Sequence, residues 1–395
     1  MNKVPTLLQL NCTANWGSTG KIAEQIGLKT KVAGWDCYMA CGRSSNPSQL
    51  QVIKVGNKPT VLWHYAENRL LDNEGLASRW ATRQLVKQIE AIKPDVIQLH
   101  NIHDHWLNYR ILFEYLNATD IPVVWTFHDC WAFTGHCPHF VTVNCEKWKT
   151  GCFECPLNNS LVDRSQRNFQ LKKQLFSANK NLHVVTVSQW LHDFVKQSFL
   201  GDKDVSVIHN GIDLNVFRPN GKKSNGKFQI LGVSSVWHQS KGLYDFYKLR
   251  ESLDVEQFDI TLVGLKPEQI QQLPEGIKGI ERTNSVQELA ALYSQAHVLV
   301  NPTYADSFPT VNLEALACGT PVITYRTGGS PEAVDSKTGV VIEQGDVTAL
   351  ANAIMQMREK PLSSVDCRKH AEEHFDKDKC FEKYVELYRE LLGKR

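Results

Sequence analysis

Short apolar runs alternate with longer stretches of helical period along most of the chain. In the first half the runs are Thr6–Leu10, Val96–Leu99, Val123–Phe127 and Val184–Val187. In the second half they are Gln229–Val233, Asp259–Val263, His297–Asn301, Pro321–Tyr325 and Gly339–Ile342. Runs this short, bounded by turn residues, read as buried strands. Trp80–Ile92 and Phe169–Ala178 carry helical patterns between them. Strands alternating with helices predict an α/β fold with a mostly parallel sheet in each half. The polar, Gly- and Asn-rich stretch Arg218–Lys227 reads as a linker. The predicted division is residues 1–212, a linker at 213–227, a second domain at 228–374, and a terminal segment at 375–395 that is helical over Phe375–Leu392. The halves share a style of architecture, without a tandem sequence repeat.

Length supports two domains, since 395 residues exceed the size at which one core stops growing. Apolar residues at 42% and charged ones at 22% are ordinary for a soluble globular protein. A formal net charge of +2, with Lys and Arg scattered, gives no bulk attraction for nucleic acid, and no nucleic-acid module is visible. No window is apolar enough for a spanning helix, and the start, MNKVPTLLQLNCT, is too short in its apolar run for a signal peptide. The expected location is cytoplasmic, where the eleven cysteines would be reduced or metal-bound more readily than paired.

The most informative stretch is YADSFPTVNLEALACGTP, Tyr304 to Pro321. Asp306 and Glu314 flank the start of a short helix whose first turn suits Pro309, and which Gly319 and Pro321 end. A strand on each side makes a β-loop-α-β unit, and ligands of such sheets lie beyond the strands' carboxyl ends. Acidic groups there suit the hydroxyls of a sugar or ribose, which need fixed acceptors. The segment resembles the Glu-x7-Glu signature of the group-1 family of retaining glycosyltransferases. That resemblance implies the GT-B fold, two Rossmann-like α/β domains facing across a cleft, with the terminal helix crossing back onto the first. It assigns Asp306 to the donor sugar and Glu314 to the ribose of the nucleotide, with Phe308 and Pro309 in the same loop. Asp306 is one methylene shorter than the usual Glu, and Phe308-Pro309 stands where Phe-Gly is commoner. The run VIHNGIDLNVFRP (Val207–Pro219) resembles the family's domain crossover; Asn210-Gly211 is a strong turn pair, with Gly211 able to take a positive φ.

A diphosphate needs cations and N–H donors. Lys241 precedes Gly242 in a loop between a strand and a helix, and could place its ammonium on a diphosphate. The family's Arg upstream of this Lys is absent, leaving His238, a backbone N–H or Arg326 to supply what is missing. Thr327-Gly328-Gly329-Ser330-Pro331-Glu332 leaves a strand toward a helix, where glycines permit close backbone approach and a helix N-terminus favours an anion. The resemblance places Gly328, Gly329 and Glu332 on the donor. In the first half Gly17, Ser18, Thr19 and Gly20 follow the first strand. They complete neither a dinucleotide fingerprint nor a P-loop, but the family has a Gly-rich loop here that faces acceptor and phosphates. His128 and Asp129 follow the strand Val123–Phe127, and His100, Asn101 and His103 follow Val96–Leu99. By resemblance His128 contacts the donor sugar, and His100 and Asn101 lie on the acceptor side. His128, Asp306 and Lys241 are the predicted catalytic set.

Cys137, Cys145, Cys152 and Cys155 form the frame C-x7-C-x6-C-x2-C inside an insertion at 130–156. Four thiolates at short spacing suit a structural zinc; disulfides and free buried thiols fit the spacing too. The HDxWxFTGxC…CP pattern resembles bacterial polysaccharide-assembly transferases, including the colanic acid type. The implied reaction moves a hexosyl or related sugar from a nucleotide diphosphate donor to a growing glycan or lipid-linked saccharide, with retention and with no cofactor or metal for the chemistry. A non-catalytic sugar-nucleotide-binding partner and a nucleotide-sugar epimerase are the competing readings. A lipid-linked acceptor would bring peripheral contact at the inner membrane face, and Asn15–Lys21 and Trp63–Arg83 carry aromatic and basic residues that could touch a membrane.

Overall fold

A computed structural model describes residues 3–221, 223 and 226–394. Met1 and Asn2 of the amino-terminal segment, Lys222, Ser224 and Asn225 of the predicted linker, and Arg395 lie outside the described residues. The chain divides into two compact units, Met1–His209 with Phe381–Arg395, and Asn210–Cys380.

The first unit is built on a seven-stranded parallel sheet. Its strands are β1 (Thr6–Leu10), β2 (Asp36–Cys41), β3 (Gln51–Lys54), β4 (Val96–Leu99), β5 (Val123–Phe127), β6 (Leu182–Thr186) and β7 (Asp204–Val207), in the order β3-β2-β1-β4-β5-β6-β7. β1, β4 and β5 are buried at every position, as a parallel sheet covered on both faces requires. The sequence pattern missed β2, β3 and β7. β3 and β7 are edge strands, half-buried or exposed, so they carry no apolar run. Strand β2, DCYMAC, buries Cys and Ala, which signal a strand weakly.

A buried polar chain ties the end of the terminal helix (Lys377–Gly393) to this sheet. Tyr388 donates to Gln98 Oε1 at 3.0 Å, Gln98 Nε2 donates to Thr126 Oγ1 at 2.6 Å, and Thr126 in turn donates to Tyr384 at 3.1 Å. The insertion after β5 contributes no strand, only the 3₁₀ turns Trp131–Phe133, Phe140–Val143 and Lys147–Lys149. It is held by an aromatic cluster in which Phe140 stacks on Trp148 at 4.9 Å and both meet Phe194.

The second unit holds a six-stranded sheet, again parallel. Its strands are β8 (Phe228–Val233), β9 (Phe258–Val263), β10 (Ile277–Ile280), β11 (Val298–Asn301), β12 (Val322–Tyr325) and β13 (Gly339–Ile342), in the order β10-β9-β8-β11-β12-β13. β10, IKGI, is the strand the pattern missed; it lies at an edge and only Ile277 is buried. The core runs from Phe228, Ile230, Phe246 and Leu262 to Ile323 and Ile354.

The predicted linker is fastened to this unit where it is described: Asn220 N–H donates to Ser294 Oγ at 3.1 Å, and Lys223 Nζ donates to Thr320 Oγ1 at 3.0 Å. Gly211 does not take the positive φ expected of it. Glycine is needed there because any Cβ would collide with the backbone of Lys377, where Ile212 forms a bridge with Asp376.

Candidate active site

In both sheets the strand order reverses beside the first strand, between β1 and β4 and between β8 and β11. Loops leaving the carboxyl ends on either side of such a point diverge and open a crevice for ligand. The predicted polar residues fall on these loops in each unit.

In the second unit three loops converge on Asp306. Lys241 lies in the turn Gln239–Lys241 after β8, and its Nζ meets Asp306 Oδ2 at 2.7 Å and the Ala305 carbonyl at 3.3 Å. Asp306 Oδ1 accepts from the Phe308 N–H at 3.3 Å, which turns the chain toward the helix Thr310–Ala317. Gly328, at φ +54°, lies so close to the Asp306 carbonyl that any side chain would collide with it. Gly329 N–H donates to Ser307 O at 3.1 Å. Two features differ from expectation. Gly328 admits another protein loop, and the Gly329 N–H is already bonded within the protein. The segment they open, Ser330–Ala333, which includes Glu332, is a four-residue 3₁₀ turn with too few aligned peptides for a helix dipole. Pro309 sits one residue ahead of its helix, as the N-cap.

Glu314 lies one turn into that helix, and its Oε2 accepts from Tyr293 Oη at 2.7 Å. Burial, then the neighbouring Glu314 carboxylate, push the Tyr293 phenol well above its usual range, so it remains a donor. Arg326 is not brought to Lys241. It pairs with Glu343 at 2.6 Å, both side chains largely exposed. His238 is bonded to Ser240 Oγ at 2.8 Å. Sequence reasoning missed Asp245, which is buried and accepts from Tyr304 Oη at 2.8 Å and Tyr325 Oη at 2.9 Å, anchoring the loop that carries Asp306. An acidic residue among the apolar positions Leu243, Phe246 and Leu249 of its helix was the available signal.

In the first unit the loops after β1, β4 and β5 share one network. Cys12 N–H donates to Asn101 O at 3.0 Å and Asn101 N–H to Asn11 Oδ1 at 3.1 Å, locking the first two together. Gly17 begins the helix Gly17–Val32, whose N-terminus has no side-chain cap; Ser18 is exposed, Thr19 half-buried, and Gly20 lies against Thr13. His100 and His128 meet edge to edge in nearly parallel planes, with His100 Nδ1 3.2 Å from His128 Nε2. His100 Nε2 is 3.1 Å from Gln9 Oε1, and Gln9 Nε2 donates to Ala23 O at 2.9 Å.

That sequence of bonds fixes protons. The Ala23 carbonyl can only accept, so the Gln9 amide faces it with its NH₂ and turns its oxygen to His100. His100 must then donate from Nε2 and accept at Nδ1, and His128 must donate from Nε2. His128 is left with a free lone pair on Nδ1. Both rings are neutral: burial, then His128, push His100 well below its usual pKa, and burial pushes His128 down to about 4. His103 and Asp129 form an ion pair at 3.0 Å. Burial disfavours both charges, but the pairing outweighs it, raising His103 and lowering Asp129. Gln9 was missed although a glutamine in the run TLLQL, buried like its neighbours, was there to be read.

All eleven cysteines are free thiols. Cys137 and Cys155 lie side by side, and Cys155 also meets His136. Gly135 N–H donates to Cys152 Sγ at 3.2 Å. The four predicted ligands are neighbours without closing on one point. Among the described residues, the group whose potential ligand atoms all lie within 4.8 Å is Asp72, His136 and Asp163. Those carboxylates are already used, Asp72 by Arg164 N–H and His136, and Asp163 by Cys155 and Ser165 N–H.

Two parallel α/β units, each with polar loops gathered at its switch-point strands, are the architecture that GT-B glycosyltransferases share among solved structures. Residues 227–360 match the family model described as Glycosyl transferases group 1, and residues 30–216 match Glycosyltransferase Family 4. Both halves of the chain thus match glycosyltransferase domains, the second half that of the group 1 family. It is 25% identical over 370 residues to the Escherichia coli K12 protein named for a colanic acid biosynthesis glycosyl transferase, WcaC, covering 87% of this chain and 89% of that one. Among solved structures it resembles sucrose-phosphate synthase from Thermosynechococcus elongatus, with TM-score 0.74, 17% identity, and coverage of 99% and 100% of the two chains. It also resembles Anabaena Alr3699/HepE in complex with UDP-glucose, with TM-score 0.65, 16% identity, and coverage of 98% and 99%. At such identities these two structures speak to the fold alone.

Proposed function

We propose that this enzyme transfers a hexosyl or related sugar from a nucleotide diphosphate donor to a growing polysaccharide or lipid-linked glycan, with retention at the anomeric carbon. The observation that carries the reading is the Lys241–Asp306 pair at the switch point of the second unit. An ion pair at this exposure contributes about 1 kcal/mol or less to stability, so its position is better explained by a ligand. Lys241 would neutralise the diphosphate as the bond from the anomeric carbon to the phosphate oxygen breaks. Glu314 would accept from the ribose. An acceptor hydroxyl would form the new bond on the same face and pass its proton to the departing diphosphate. The likeness to WcaC supports polysaccharide assembly as the setting.

A thermal-shift panel of UDP-, GDP-, dTDP- and ADP-sugars tests the donor. One nucleotide should raise the melting temperature of wild type, by mass action on the native state, and not that of Glu314→Ala. A shift kept in full by Glu314→Ala removes the ribose assignment; no shift with any donor turns the reading toward a non-catalytic partner.

We further propose that Cys137, Cys145, Cys152 and Cys155 hold a structural zinc. The support is four neighbouring thiols in an insertion whose only regular structure is 3₁₀ turns. Protein purified without chelators should carry about one zinc per chain by elemental analysis, lost in Cys152→Ser together with several degrees of melting temperature. Metal-free protein of undiminished stability refutes it.

A further inference from the structure

The helix Lys58–Leu71 is inside out. The residues it buries are His64 and Glu67, while Leu62, Trp63, Tyr65, Leu70 and Leu71 are exposed, Leu62 by 69% and Trp63 by 67%. The cause lies in the loop beneath it. Glu67 Oε1 accepts from Asn73 Nδ2 at 3.0 Å and Arg79 Nη2 at 3.1 Å. His64 Nε2 accepts from Gly75 N–H at 3.0 Å, which leaves Nδ1 to donate to Ser78 Oγ at 2.8 Å. With its polar face committed inward, the helix has only its apolar face to turn to solvent.

Two other segments that carry large exposed apolar side chains are tied to this helix. Trp80 is 69% exposed and follows Arg79, which Glu67 holds. Leu161 is 80% exposed, and its N–H donates to the Arg69 carbonyl at 2.9 Å while Ser160 Oγ donates to the Asn68 carbonyl at 2.7 Å. Large exposed apolar side chains brought together from separate segments mark an interaction surface.

The charges choose the partner. From Lys58 to Lys87 the exposed charged side chains are Lys58, Arg69, Arg79, Arg83 and Lys87, all cationic; Glu67 and Asp72 are buried and Glu74 half-buried, and beside Leu161 the exposed Asp163 is engaged by the Cys155 and Ser165 N–H groups. We infer that this surface docks on an anionic lipid bilayer, with Leu62, Trp63, Trp80 and Leu161 entering the headgroup boundary and the cations around them meeting lipid phosphates. Tryptophan suits that boundary, and basic residues gain there from the negative surface potential. A second copy of this chain is the poorer occupant, because a self-complementary contact would set one cluster of cations against its twin.

The test is flotation of the full chain with vesicles of phosphatidylcholine containing roughly one-third phosphatidylglycerol. Wild type should float with them and be released by high salt. The variant Leu62→Ser/Trp63→Ser/Trp80→Ser should bind roughly tenfold more weakly or worse, with its melting temperature unchanged because these side chains are exposed. Arg69→Glu/Arg83→Glu should lose the preference for anionic over neutral vesicles. Absence of wild-type binding, or wild-type binding by the triple variant, overturns the inference. So does a concentration-dependent dimer, seen by analytical ultracentrifugation, that the same triple variant dissociates.

Discussion

Lys241→Ala is expected to bind its nucleotide diphosphate sugar roughly 10- to 100-fold more weakly, the loss of one charge-assisted hydrogen bond to phosphate. The free nucleoside diphosphate should weaken in parallel, since it carries the same phosphates, and the nucleoside alone should not change. Stability should hardly move, because the pair with Asp306 is only partly buried. Asp306→Asn separates two roles for the acid. If Asp306 only holds Lys241 in place, donor affinity falls while sugar selectivity persists; if it also contacts the sugar, discrimination between donor epimers falls with it. Calorimetric titration of UDP and UDP-sugar, or of whichever nucleotide the panel selects, reads both variants. Wild-type affinity for the diphosphate in Lys241→Ala would remove the phosphate assignment.

The second large effect is expected at His128, and it is one of turnover. His128→Ala should lower kcat by roughly a hundredfold, the scale of removing a preorganised polar group from the reacting end of a substrate, while nucleotide affinity stays near wild type. Its tautomer is set through His100 by Gln9, so Gln9→Met, close in size but with only a weakly accepting sulfur, should lower kcat by roughly tenfold or less. Gln9 is a positioning residue, and pH separates that role from a structural one. With His128 depressed to about 4, wild-type kcat should show no limb from this histidine above about pH 5. The groups facing it are His100, neutral, and the ion pair of His103 with Asp129. Long-range ¹⁵N spectra of labelled histidine should show His128 protonated at Nε2 in wild type and of mixed tautomer in Gln9→Met. Nδ1 protonation in wild type would break the proposed relay whatever the kinetics show.

Much of this was legible in the sequence. The interior strands were readable because a parallel strand covered on both faces must be apolar throughout, as in β1, β5, β11 and β12. Edge strands β3, β7 and β10 were not, because half-covered positions carry no such constraint. The placement of Lys241, Asp306 and Glu314 beyond strand ends and at a helix start was readable from the turn and helix signals around them. Arg326 looked equally suitable in sequence, yet it turns outward to Glu343, a choice of rotamer and neighbour that no local pattern encodes.

The sequence by itself determined two parallel α/β units and the loops that bear polar chemistry, because burial periodicity and turn residues act locally along the chain. Only the tertiary structure decided which of those polar groups meet. The pairing of Lys241 with Asp306, the Gln9–His100–His128 relay, and the outward apolar face of Lys58–Leu71 all join residues from separate loops or strands. Hydrogen bonds and ion pairs act over about 3 Å, and only the packing of the whole sheet brings such distant positions that close.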